Sequence, residues 1–375
     1  MHVITGLGTG GAERMLAKLV CAGDQQHFEP VVVSLTSEGT LGQLITACGI
    51  DVHVIGMRQG RGSFVGLLKL ALLIKRLKPD LIMAWMYHAN IAAMGARTLV
   101  ARNTSVLWNI RHTPCDLGLE KRLTAALIRL GARLSAIPAR VVYNSRISRG
   151  RHEQLGFRKG NSLVIPNGFD TGVFKPSVAA RLRTRAALGI PENALVLGHV
   201  ARFHPMKDHE GFLNAASLVA AKTPNAWFVL AGRDVSPRNS ILTGWVKSLG
   251  LQDRVMLLDE RDDLSDLLPA LDVLCLSSAW GEGFPNIIGE AMACCVPCVT
   301  TDVGDAGMIV GDSGRVVPPC DKEALAGACL DLLSLGPEAR QALGEVARQR
   351  IVSDFSIDAV VARYESLYGV VLNSL

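Results

Sequence analysis

The chain has 375 residues, of which 49% are hydrophobic and 19% charged, and its formal net charge is +5. A chain of this length usually divides into two domains, and its apolar composition is typical of α/β proteins whose parallel strands are covered on both faces. The composition excludes a disordered chain, and the lack of any window of roughly 20 apolar residues excludes a transmembrane helix.

Apolar runs alternate with segments of helical periodicity from the start of the chain, which is the pattern of parallel strands joined by helical crossovers. In the first half the pattern predicts strands at residues 2–5, 30–35, 51–55, 81–84, 106–110, 140–143 and 163–165. In the second half it predicts strands at residues 195–200, 227–231, 255–258, 273–276 and 298–301. The sequence therefore predicts an α/β protein with two Rossmann-like, doubly wound sheets.

A linker is predicted at residues 166–176, which carry turn residues and show no periodicity. We therefore expect an N-terminal domain over residues 1–176 and a C-terminal domain over residues 177–355. The final segment, about residues 356–375, is predicted to form a helix that packs back on the first domain.

A glycine-rich turn over residues 6–11 (GLGTGG) follows the first strand and opens the first helix. Glycines let the backbone approach phosphate oxygens, and a helix N-terminus presents free N–H groups and the positive end of its dipole. The turn predicts a phosphate-binding loop, with a purely structural tight turn as the alternative. The acidic residue that a dinucleotide site needs is missing, because Leu35 is followed by Thr36 and Ser37.

His88 follows another strand of the first half, in the segment WMYHAN. Ligands of open α/β sheets lie outside the carboxyl ends of the strands, so His88 is predicted to point into a ligand-binding cleft. A structural histidine is the alternative. Asn109, Arg111 and His112 lie at the end of the next strand and are candidates on the same ground.

The first half of the chain is strongly basic. Residues 1–178 hold 22 Lys and Arg against 10 Asp and Glu, a net charge of +12, and the remaining residues have a net charge of −7. One helical stretch has an apolar face formed by Leu119, Leu123, Leu127, Leu130 and Leu134. Its basic residues are Lys121, Arg122, Arg129 and Arg133. The stretch predicts either contact with an anionic membrane or a core-packing helix with a solvated basic face.

Arg202 and Lys207 lie on the predicted loop after the first strand of the second half. A guanidinium group can bind one part of a diphosphate through two hydrogen bonds, and an ammonium group can bind another part as a point charge. The pair therefore predicts a diphosphate site, and a solvated basic loop is the alternative.

The most specific segment is SSAWGEGFPNIIGEAMA, at residues 277–293. Pro285 is suited to begin a helix, which places Glu282 on the preceding loop and Glu290 about one turn inside the helix. The N–H groups near residues 286–288 can bind diphosphate oxygens. The two carboxylates can accept hydrogen bonds, one from sugar hydroxyls and the other from ribose hydroxyls. Two surface glutamates without a ligand are the alternative.

The nine cysteines are an odd number scattered along the chain. We therefore expect no disulfide framework and a reducing compartment, which together with the absence of a basic leader before an apolar stretch predicts a cytoplasmic protein. Cys295 and Cys298 form a C-x-x-C in an apolar turn without a second pair nearby, and we interpret them as buried thiols rather than a redox or metal site.

Three segments in this order resemble the GT-B retaining glycosyltransferases of family 4, and the resemblance covers essentially the whole chain. GTGGAERML is similar to the family's opening loop, IPNGFDTGVFKP to its interdomain linker, and GEGFPNIIGEAMA to its E-x7-E motif. The resemblance implies a GT-B fold, in which two Rossmann-like domains face each other across a cleft and the sugar nucleotide binds mostly to the second domain.

Carried over by position, the resemblance implies a role for each candidate. Arg202 and Lys207 would bind the donor diphosphate and favour its departure in place of a metal, so that neither a metal nor another cofactor is expected. Glu282 would contact the transferred sugar, and His88 would lie near the sugar hydroxyls. The implied donor-binding residues are Gly10, Gly11, Phe284, Asn286, Ile287, Ile288 and Glu290, of which Glu290 would bind the nucleotide ribose.

The sequence departs from the family pattern at a few positions. Asp208 stands where a glycine commonly follows the lysine, and Cys295 and Cys298 replace small residues that are common in their turn. None of these changes removes an implied ligand, so the family's chemistry remains the expectation.

The predicted function is a retaining hexosyltransferase that moves a sugar from a UDP- or GDP-linked donor to a glycan or lipid-linked glycan in cell-surface polysaccharide synthesis. The basic first domain predicts a peripheral contact with anionic lipid on the inner face of the cytoplasmic membrane. A nucleic-acid partner is not expected, because apolar residues interleave the basic ones and no recognition module appears.

Three alternatives stay open at this point. A sugar-nucleotide epimerase would share the fold and need no acceptor. An NAD-dependent oxidoreductase would fit the G-x-G-x-x-G pattern of Gly6, Gly8 and Gly11 but leave the signature of the second half unexplained. A non-catalytic nucleotide-sensing protein would not require the intact set of charged residues in that half.

Overall fold

The computed structural model describes residues 1–58, 63–114, 116–118 and 120–374. Leu119, which was predicted to contribute to the basic amphipathic helix, lies outside these residues. Within the described ranges, no helix combines the length and the hydropathy that crossing a membrane requires.

The described chain forms two compact units, called unit 1 and unit 2. Unit 1 comprises Met1–Gly168 and Ile357–Leu375, and unit 2 comprises Phe169–Ser356. The sequence placed the boundary after residue 176, whereas the structure places it after residue 168. The difference arises because Phe169 is buried in the core of unit 2, where its N–H donates to the carbonyl of Phe355 at 2.8 Å.

Unit 1 is built on a parallel sheet. Its described strands are β1 (His2–Ile4), β2 (Val31–Ser34), β3 (Asp51–Val54), β4 (Leu81–Trp85), β5 (Ser105–Ile110), β6 (Arg140–Tyr143) and β7 (Ser162–Val164). They lie in the order β3-β2-β1-β4-β5-β6-β7. The strand order reverses between β1 and β4, where Ile4 pairs with Trp85, and ligands of open α/β sheets bind at such a switch point.

Helices cover both faces of this sheet. They are α1 (Gly11–Ala22), α2 (Gly39–Ala47), α3 (Phe64–Leu77), α4 (Met86–Val100), α5 (Arg122–Leu134) and α6 (Arg146–Gln154). Val3 and Ile4 point to opposite faces, as neighbours on a strand do. Val3 packs in one core with residues of α3, α4 and α5, and Ile4 packs in the other with residues of α1 and α2.

Unit 2 is described in full and holds a second parallel sheet. Its strands are β8 (Leu195–Val200), β9 (Ala226–Ala231), β10 (Val255–Leu257), β11 (Val273–Leu276), β12 (Cys298–Thr301) and β13 (Arg315–Val317). They lie in the order β10-β9-β8-β11-β12-β13, so β8 and β11 form the switch point. The helices are α7 (Val178–Ala187), α8 (His209–Lys222), α9 (Ser240–Ser248), α10 (Leu264–Leu267), α11 (Asn286–Ala293), α12 (Ala306–Val310), α13 (Lys322–Ser334) and α14 (Pro337–Phe355).

These sheets confirm the predicted class of two doubly wound α/β sheets. Each predicted strand is present within one or two residues of its expected bounds. Strand β13 was missed, because its three residues lie between Gly314 and Pro318 and give too short an apolar run to be recognised.

The last helix, α15 (Ile357–Leu372), belongs to unit 1 and packs against α1. Tyr364 on this helix is fully buried, and its hydroxyl accepts hydrogen bonds from Asn109 Nδ2 at 2.9 Å and Arg111 Nη1 at 2.8 Å. Arg111 also donates to Asn167 Oδ1 at 2.6 Å. Asn109 and Arg111, which the sequence offered as ligand-binding candidates, therefore serve to attach α15 to the end of β5.

Two cysteines correct the expectation that no disulfide forms. Cys21 at the end of α1 and Cys48 after the end of α2 are disulfide-bonded, with their Cα atoms 5.6 Å apart. Their separation of 27 residues carries no pairing signal in the sequence, since only the packing of α1 on α2 brings them together. Cys295 and Cys298 are unpaired, and burial raises the pKa of both thiols.

A buried charge cluster attaches α7 to the sheet of unit 2. The carboxylate of Asp272 accepts hydrogen bonds from Arg181 at 2.7 Å, Arg185 at 2.6 Å and the N–H of Val196 at 2.7 Å. Burial alone would raise the pKa of Asp272, but the coulombic attraction of the two arginines and these hydrogen bonds outweigh it, so the pKa is lowered.

We expect Asp272→Ala to lower the free energy of unfolding of unit 2 by about 3–5 kcal/mol, because Arg185 would stay buried without a counter-ion. Since the folded-state pKa of Asp272 is lowered, its stabilisation is complete above the unfolded-state pKa of about 4 and is lost as the pH falls through the folded-state pKa. The difference between wild type and variant should therefore shrink in acid. Urea unfolding followed by intrinsic fluorescence at several pH values measures both effects.

Asp266→Ala is the matched control, because Asp266 pairs with Arg183 at 2.9 Å on the exposed surface of the same unit. An exposed ion pair contributes at most about 1 kcal/mol. Equal losses in the two variants would contradict the assignment of Asp272 as the charge on which the α7 cluster depends.

Candidate active site

The predicted charged residues of unit 2 lie on the two loops at the switch point of its sheet. Leu197 on β8 pairs with Val273 on β11, so the two strands are neighbours. The carboxyl ends of parallel strands meet at one edge of a sheet, which brings the loop over residues 201–208 beside the loop over residues 277–285.

Lys207 and Glu282 form an ion pair across these two loops. The ammonium group of Lys207 contacts Oε1 of Glu282, and the side chains are only 15% and 8% exposed. Ser278 Oγ donates to the same carboxylate oxygen at 2.5 Å. Because both charges are largely withdrawn from water, their attraction is stronger than that of a surface ion pair.

Further hydrogen bonds hold the loop of Lys207 against the end of β11. Ser277 Oγ contacts the carbonyl of Lys207 at 2.9 Å and that of Asp208 at 3.1 Å, and the N–H of Ala279 donates to the carbonyl of Met206 at 2.9 Å. The roles of Ser277 and Ser278 were not predicted from the sequence, because a serine at the end of a strand has no distinctive pattern.

The loop after β12 supports Glu282 from another side. Gly304 adopts a positive φ of 67°, and a Cβ at this position would lie 2.6 Å from the carbonyl oxygen of Glu282, so only glycine allows the loops to approach this closely. The N–H of Asp305 donates to the carbonyl of Gly283 at 2.9 Å, and Thr301 Oγ1 donates to the carbonyl of Ser278 at 2.6 Å. The position of the Glu282 carboxylate is therefore determined by three loops.

Arg202 lies on the same loop as Lys207 but in a different environment. Its side chain is exposed, and it makes no ion pair with any residue that the structure describes. The backbone beside it is fixed, since the N–H of Phe203 donates to the carbonyl of Arg233 at 2.8 Å. The guanidinium group thus lies exposed on a fixed backbone, whereas the ammonium group of Lys207 is paired with Glu282.

The signature segment over residues 284–290, which includes the start of α11, has both buried and exposed side chains. Phe284 and Ile288 are buried, and Phe284 packs against Phe169 and Phe355 with ring centroids 6.0 Å and 5.9 Å apart. The implied ligand contacts of Phe284 and Ile288 can therefore come only from their backbone. Asn286 is exposed at the start of the helix, and Ile287 and Glu290 are half-buried.

Gly289 explains why a glycine precedes the second glutamate of the signature. A Cβ at this position would lie 2.2 Å from the ring of Phe169, so any larger residue would push α11 away from the core. The spacing between Glu282 and Glu290 is thus coupled to the packing of α11 on Phe169.

The candidates of unit 1 lie at the switch point of the other sheet. Gly10 and Gly11 are exposed at the start of α1, where Gly10 is the N-cap residue and no described side chain caps the helix. The N–H groups of this first turn therefore have no side-chain cap, and the carboxylate of Glu13 lies beside Gly10.

His88 lies in the first turn of α4, directly after β4. Met86 adopts a positive φ of 69°, which a non-glycine residue rarely does, and this turn lets the helix begin without a connecting loop. His88 is half-buried, and burial lowers its pKa, so the neutral imidazole is favoured near pH 7.

His112 belongs to a hydrogen-bonded network that the sequence did not reveal. Its Nε2 lies 3.3 Å from Oε1 of Glu120, and its Nδ1 lies 3.2 Å from the hydroxyl of Tyr87, which also contacts Nε2 of His152 at 2.8 Å. Burial lowers the pKa of His112, although Glu120 acts in the opposite direction. Spacing in the sequence gives no sign of this network, because two helices, α4 and α6, and the segment between β5 and α5 contribute to it.

Asp208, the departure from the family pattern, occupies a position that suits glycine. Its φ is +48°, in the left-handed region, which asparagine and aspartate tolerate better than other side chains. Its carboxylate accepts a hydrogen bond from the N–H of Gly211 at 3.0 Å and so caps α8. An aspartate at this position therefore caps the helix, but its backbone is more strained than that of a glycine would be.

A metal site would need a different set of side chains from the Lys207–Glu282 ion pair. Among the residues that the structure describes, no group of three or more His, Cys, Asp and Glu side chains is placed to hold a metal ion. Within the same described residues, Lys207 contacts the signature carboxylate of Glu282, and Arg348 donates to the carbonyl of Ala293 at the end of the signature.

Two family models match successive parts of the chain. Residues 9–173 match the model described as Glycosyltransferase Family 4, and residues 180–350 match the model described as Glycosyl transferases group 1. The two matches correspond to the two sheets described above and together leave only the ends and the linker uncovered.

Individual proteins are also similar to the chain. The N-acetyl-alpha-D-glucosaminyl L-malate synthase of Bacillus anthracis is 28% identical over 288 residues, which is 76% of this chain and 72% of that protein. The UDP-Gal:alpha-D-GlcNAc-diphosphoundecaprenol alpha-1,3-galactosyltransferase of Escherichia coli is 28% identical over 209 residues, about half of each chain at 55% and 53%.

A solved structure shares the fold along the full length. The crystal structure of Anabaena Alr3699/HepE in complex with UDP superposes with a TM-score of 0.82 and 23% sequence identity, and the alignment covers 100% of both chains. At this identity the likeness establishes the fold, which is the GT-B fold of two Rossmann-like domains.

The environment of Asp208 leads to a prediction with two substitutions. Asp208→Ala should destabilise unit 2 by about 1–2 kcal/mol, because it removes the helix cap and leaves a side chain in the left-handed region. Asp208→Gly removes the same cap but relieves the backbone, so it should cost about 1 kcal/mol less than the alanine variant. Thermal unfolding measures the difference, and an alanine variant as stable as the glycine variant would contradict this account.

Proposed function

Because the chain belongs to the GT-B glycosyltransferases of family 4, we propose that it transfers a hexose from a nucleoside diphosphate sugar with retention of anomeric configuration. The observation that supports this most directly is the buried contact of Lys207 with Glu282 at the switch point of unit 2. It joins a cation suited to a leaving diphosphate with a carboxylate suited to sugar hydroxyls.

In this proposal the donor diphosphate binds to Arg202 and Lys207. An ammonium group has three N–H donors, so Lys207 can keep its contact with Glu282 and still donate to phosphate oxygens. The exposed guanidinium group of Arg202 closes on the diphosphate with two parallel hydrogen bonds. These two cations take the place of a metal, and the N–H groups at the start of α11, at Asn286, Ile287 and Ile288, add further donors.

The reaction breaks the bond between the anomeric carbon and the diphosphate oxygen, and the electron pair stays on that oxygen. The acceptor hydroxyl oxygen bonds to the anomeric carbon on the face that the diphosphate leaves, and its proton passes to a diphosphate oxygen. Negative charge grows on the diphosphate during this step, so donors fixed in advance lower the barrier more than donors that must reorganise. Lys207 is held in this way.

The remaining residues orient the reactants. Glu282 accepts hydrogen bonds from hydroxyls of the transferred sugar, and Glu290 accepts them from the nucleotide ribose. The neutral imidazole of His88 can both donate and accept a hydrogen bond, which suits a sugar hydroxyl better than an imidazolium does. Gly10 and Gly11 contribute backbone N–H groups toward the sugar or the phosphates.

We assign the acceptor to unit 1 and propose that it is an anionic, membrane-attached glycan. The excess of positive charge over residues 1–178, a net +12, supports a negatively charged acceptor. The first relative's name contains L-malate, which is negatively charged, and the second contains a diphosphoundecaprenol, which is both negatively charged and lipid-linked. UDP is the proposed nucleotide, because it is bound in the similar Anabaena structure and is named in the Escherichia coli relative.

Replacing Lys207 tests the proposed chemistry. Lys207→Ala should reduce the rate of sugar transfer by about 10²–10³, because a donor to the developing charge is lost, while donor affinity changes less. Transfer from UDP-, GDP- and ADP-hexoses is followed by nucleotide release and sugar appearance on an acceptor glycan. A sugar that changes configuration but stays on the nucleotide would instead indicate an epimerase.

The control for this experiment is Lys222→Ala, which removes an exposed lysine from the end of α8 in the same unit. Thermal unfolding of both variants is recorded as well, because Lys207→Ala leaves Glu282 buried without its counter-ion. A folded Lys207→Ala enzyme with unchanged turnover would refute the assigned role.

Glu290 gives a second test that concerns binding alone. We expect Glu290→Gln to weaken UDP binding about tenfold, because hydrogen bonds from ribose hydroxyls to a charged acceptor are stronger than those to an amide. Calorimetry measures the affinity, and Glu338→Gln on the exposed first turn of α14 is the control. Native affinity in the Glu290 variant would remove this residue from the nucleotide site.

A further inference from the structure

One helix layer of unit 1 has an outer surface that is both basic and apolar. Helices α3, α4 and α5 pack side by side on one face of the sheet. They contain no Asp or Glu at all. Their cationic residues are Lys69, Lys75, Arg76, Arg97, Arg122, Arg129 and Arg133.

The opposite layer of the same sheet lacks this bias. Helices α1 and α15 carry both signs of charge, and α2 carries no charged residue; the charges are those of Glu13, Asp358, Glu365, Arg14, Lys18 and Arg363. Because both layers cover one sheet, the difference belongs to the α3–α5 surface and is not a general consequence of the basic composition of unit 1.

The same surface exposes large apolar side chains. Phe64 and Leu72 on α3 are 73% and 65% exposed, and Val65 and Leu68 are exposed beside them. Lys69 lies on the same outward arc of the helix. Folding of unit 1 gains nothing from side chains in this position, and a contiguous exposed apolar patch on a soluble protein usually marks an interaction site.

The sequence suggested α5 as the helix whose apolar side chains contact a membrane, whereas the structure places the more exposed apolar side chains on α3. Leu127 and Leu134 of α5 are partly buried and pack against the core, so the alternative of a core-packing helix holds for these two residues. Leu123 and Leu130 remain exposed next to the cations of α5. Helix α5 therefore contributes mainly charge, and α3 contributes the larger apolar protrusion.

We propose that the α3–α5 surface docks on an anionic membrane, with the four exposed apolar side chains of α3 entering the boundary between headgroups and acyl chains. The lysines and arginines around them would contact lipid phosphates. An acidic protein partner would match the charge, but a row of apolar side chains along one helix, bordered by cations and free of acids, is the pattern of a helix lying in a membrane interface. The inference rests on the proposed function for its purpose, since docking would bring unit 1 to a membrane-attached acceptor.

Vesicle sedimentation tests this inference. The wild-type chain should sediment at low salt with vesicles of phosphatidylglycerol and phosphatidylcholine, should not sediment with phosphatidylcholine alone, and should be released as salt rises. The double variant Phe64→Ser with Leu72→Ser should bind at least about tenfold more weakly, because two apolar anchors are lost. The matched control is Leu44→Ser with Val370→Ser, which removes exposed apolar residues of the opposite layer and should bind like wild type.

Charge reversal provides an independent variant. Lys75→Glu with Arg76→Glu should weaken binding by at least about fivefold for each cation replaced and should flatten the salt dependence. Arg363→Glu on α15 is its control, with little expected change. Docking is refuted if the wild type does not sediment with anionic vesicles, if both apolar double variants bind equally, or if polyglutamate retains the chain while vesicles do not.

Hydrolysis of the donor in the absence of an acceptor separates this inference from the proposed function. Hydrolysis should be unchanged in the α3 variants, because their side chains lie outside the proposed donor site. Vesicle binding without any hydrolysis or transfer in the wild type would refute the proposed function and leave the docking surface supported. Transfer to a soluble acceptor without vesicle binding would refute the docking surface and leave the proposed function supported.

Discussion

The largely buried ion pair between Lys207 and Glu282 determines the geometry of the two loops at the switch point of unit 2. Because Glu282 and Lys207 come from loops after different strands, neither loop can shift without separating two poorly hydrated charges. The serine hydroxyls and the backbone bonds between the loops add to this restriction. The charges that a ligand would meet are thus arranged before it arrives, which is the condition under which electrostatic stabilisation of a transition state is most effective.

The two cations of this edge differ in exposure and pairing, and the proposed chemistry uses both. Arg202 is exposed on a fixed backbone and can adapt to a diphosphate, whereas Lys207 is already positioned by Glu282. Unit 1 has a corresponding pair of features at its own switch point, an uncapped helix start at Gly10 and Gly11 and a neutral His88. Each sheet therefore presents polar groups at the position where open α/β sheets bind ligands, two cationic side chains in unit 2 and a helix start with a histidine in unit 1.

The sequence predicted the sheets and the signature residues well, because strand alternation and the helix-starting proline of the signature are local patterns. It could not predict the contacts that depend on packing. The side chain of Phe284 packs against Phe169, and Cys21 meets Cys48 only because α1 packs on α2. The network around His112 was hidden for the same reason. Asp208 stood out as an exception in the sequence, but only its backbone angle explains why a glycine is common there.

The attachment of α15 to Asn109 and Arg111 has a consequence for the order in which the two units can be completed during synthesis. Unit 1 begins with the first residues, but its last helix leaves the ribosome only after all of unit 2 has been made. Until then, the groove that receives Tyr364 is open and the neighbouring apolar face of the sheet is uncovered. Unit 2 is continuous in sequence, so all of its core residues have been made before α15 can be added to unit 1.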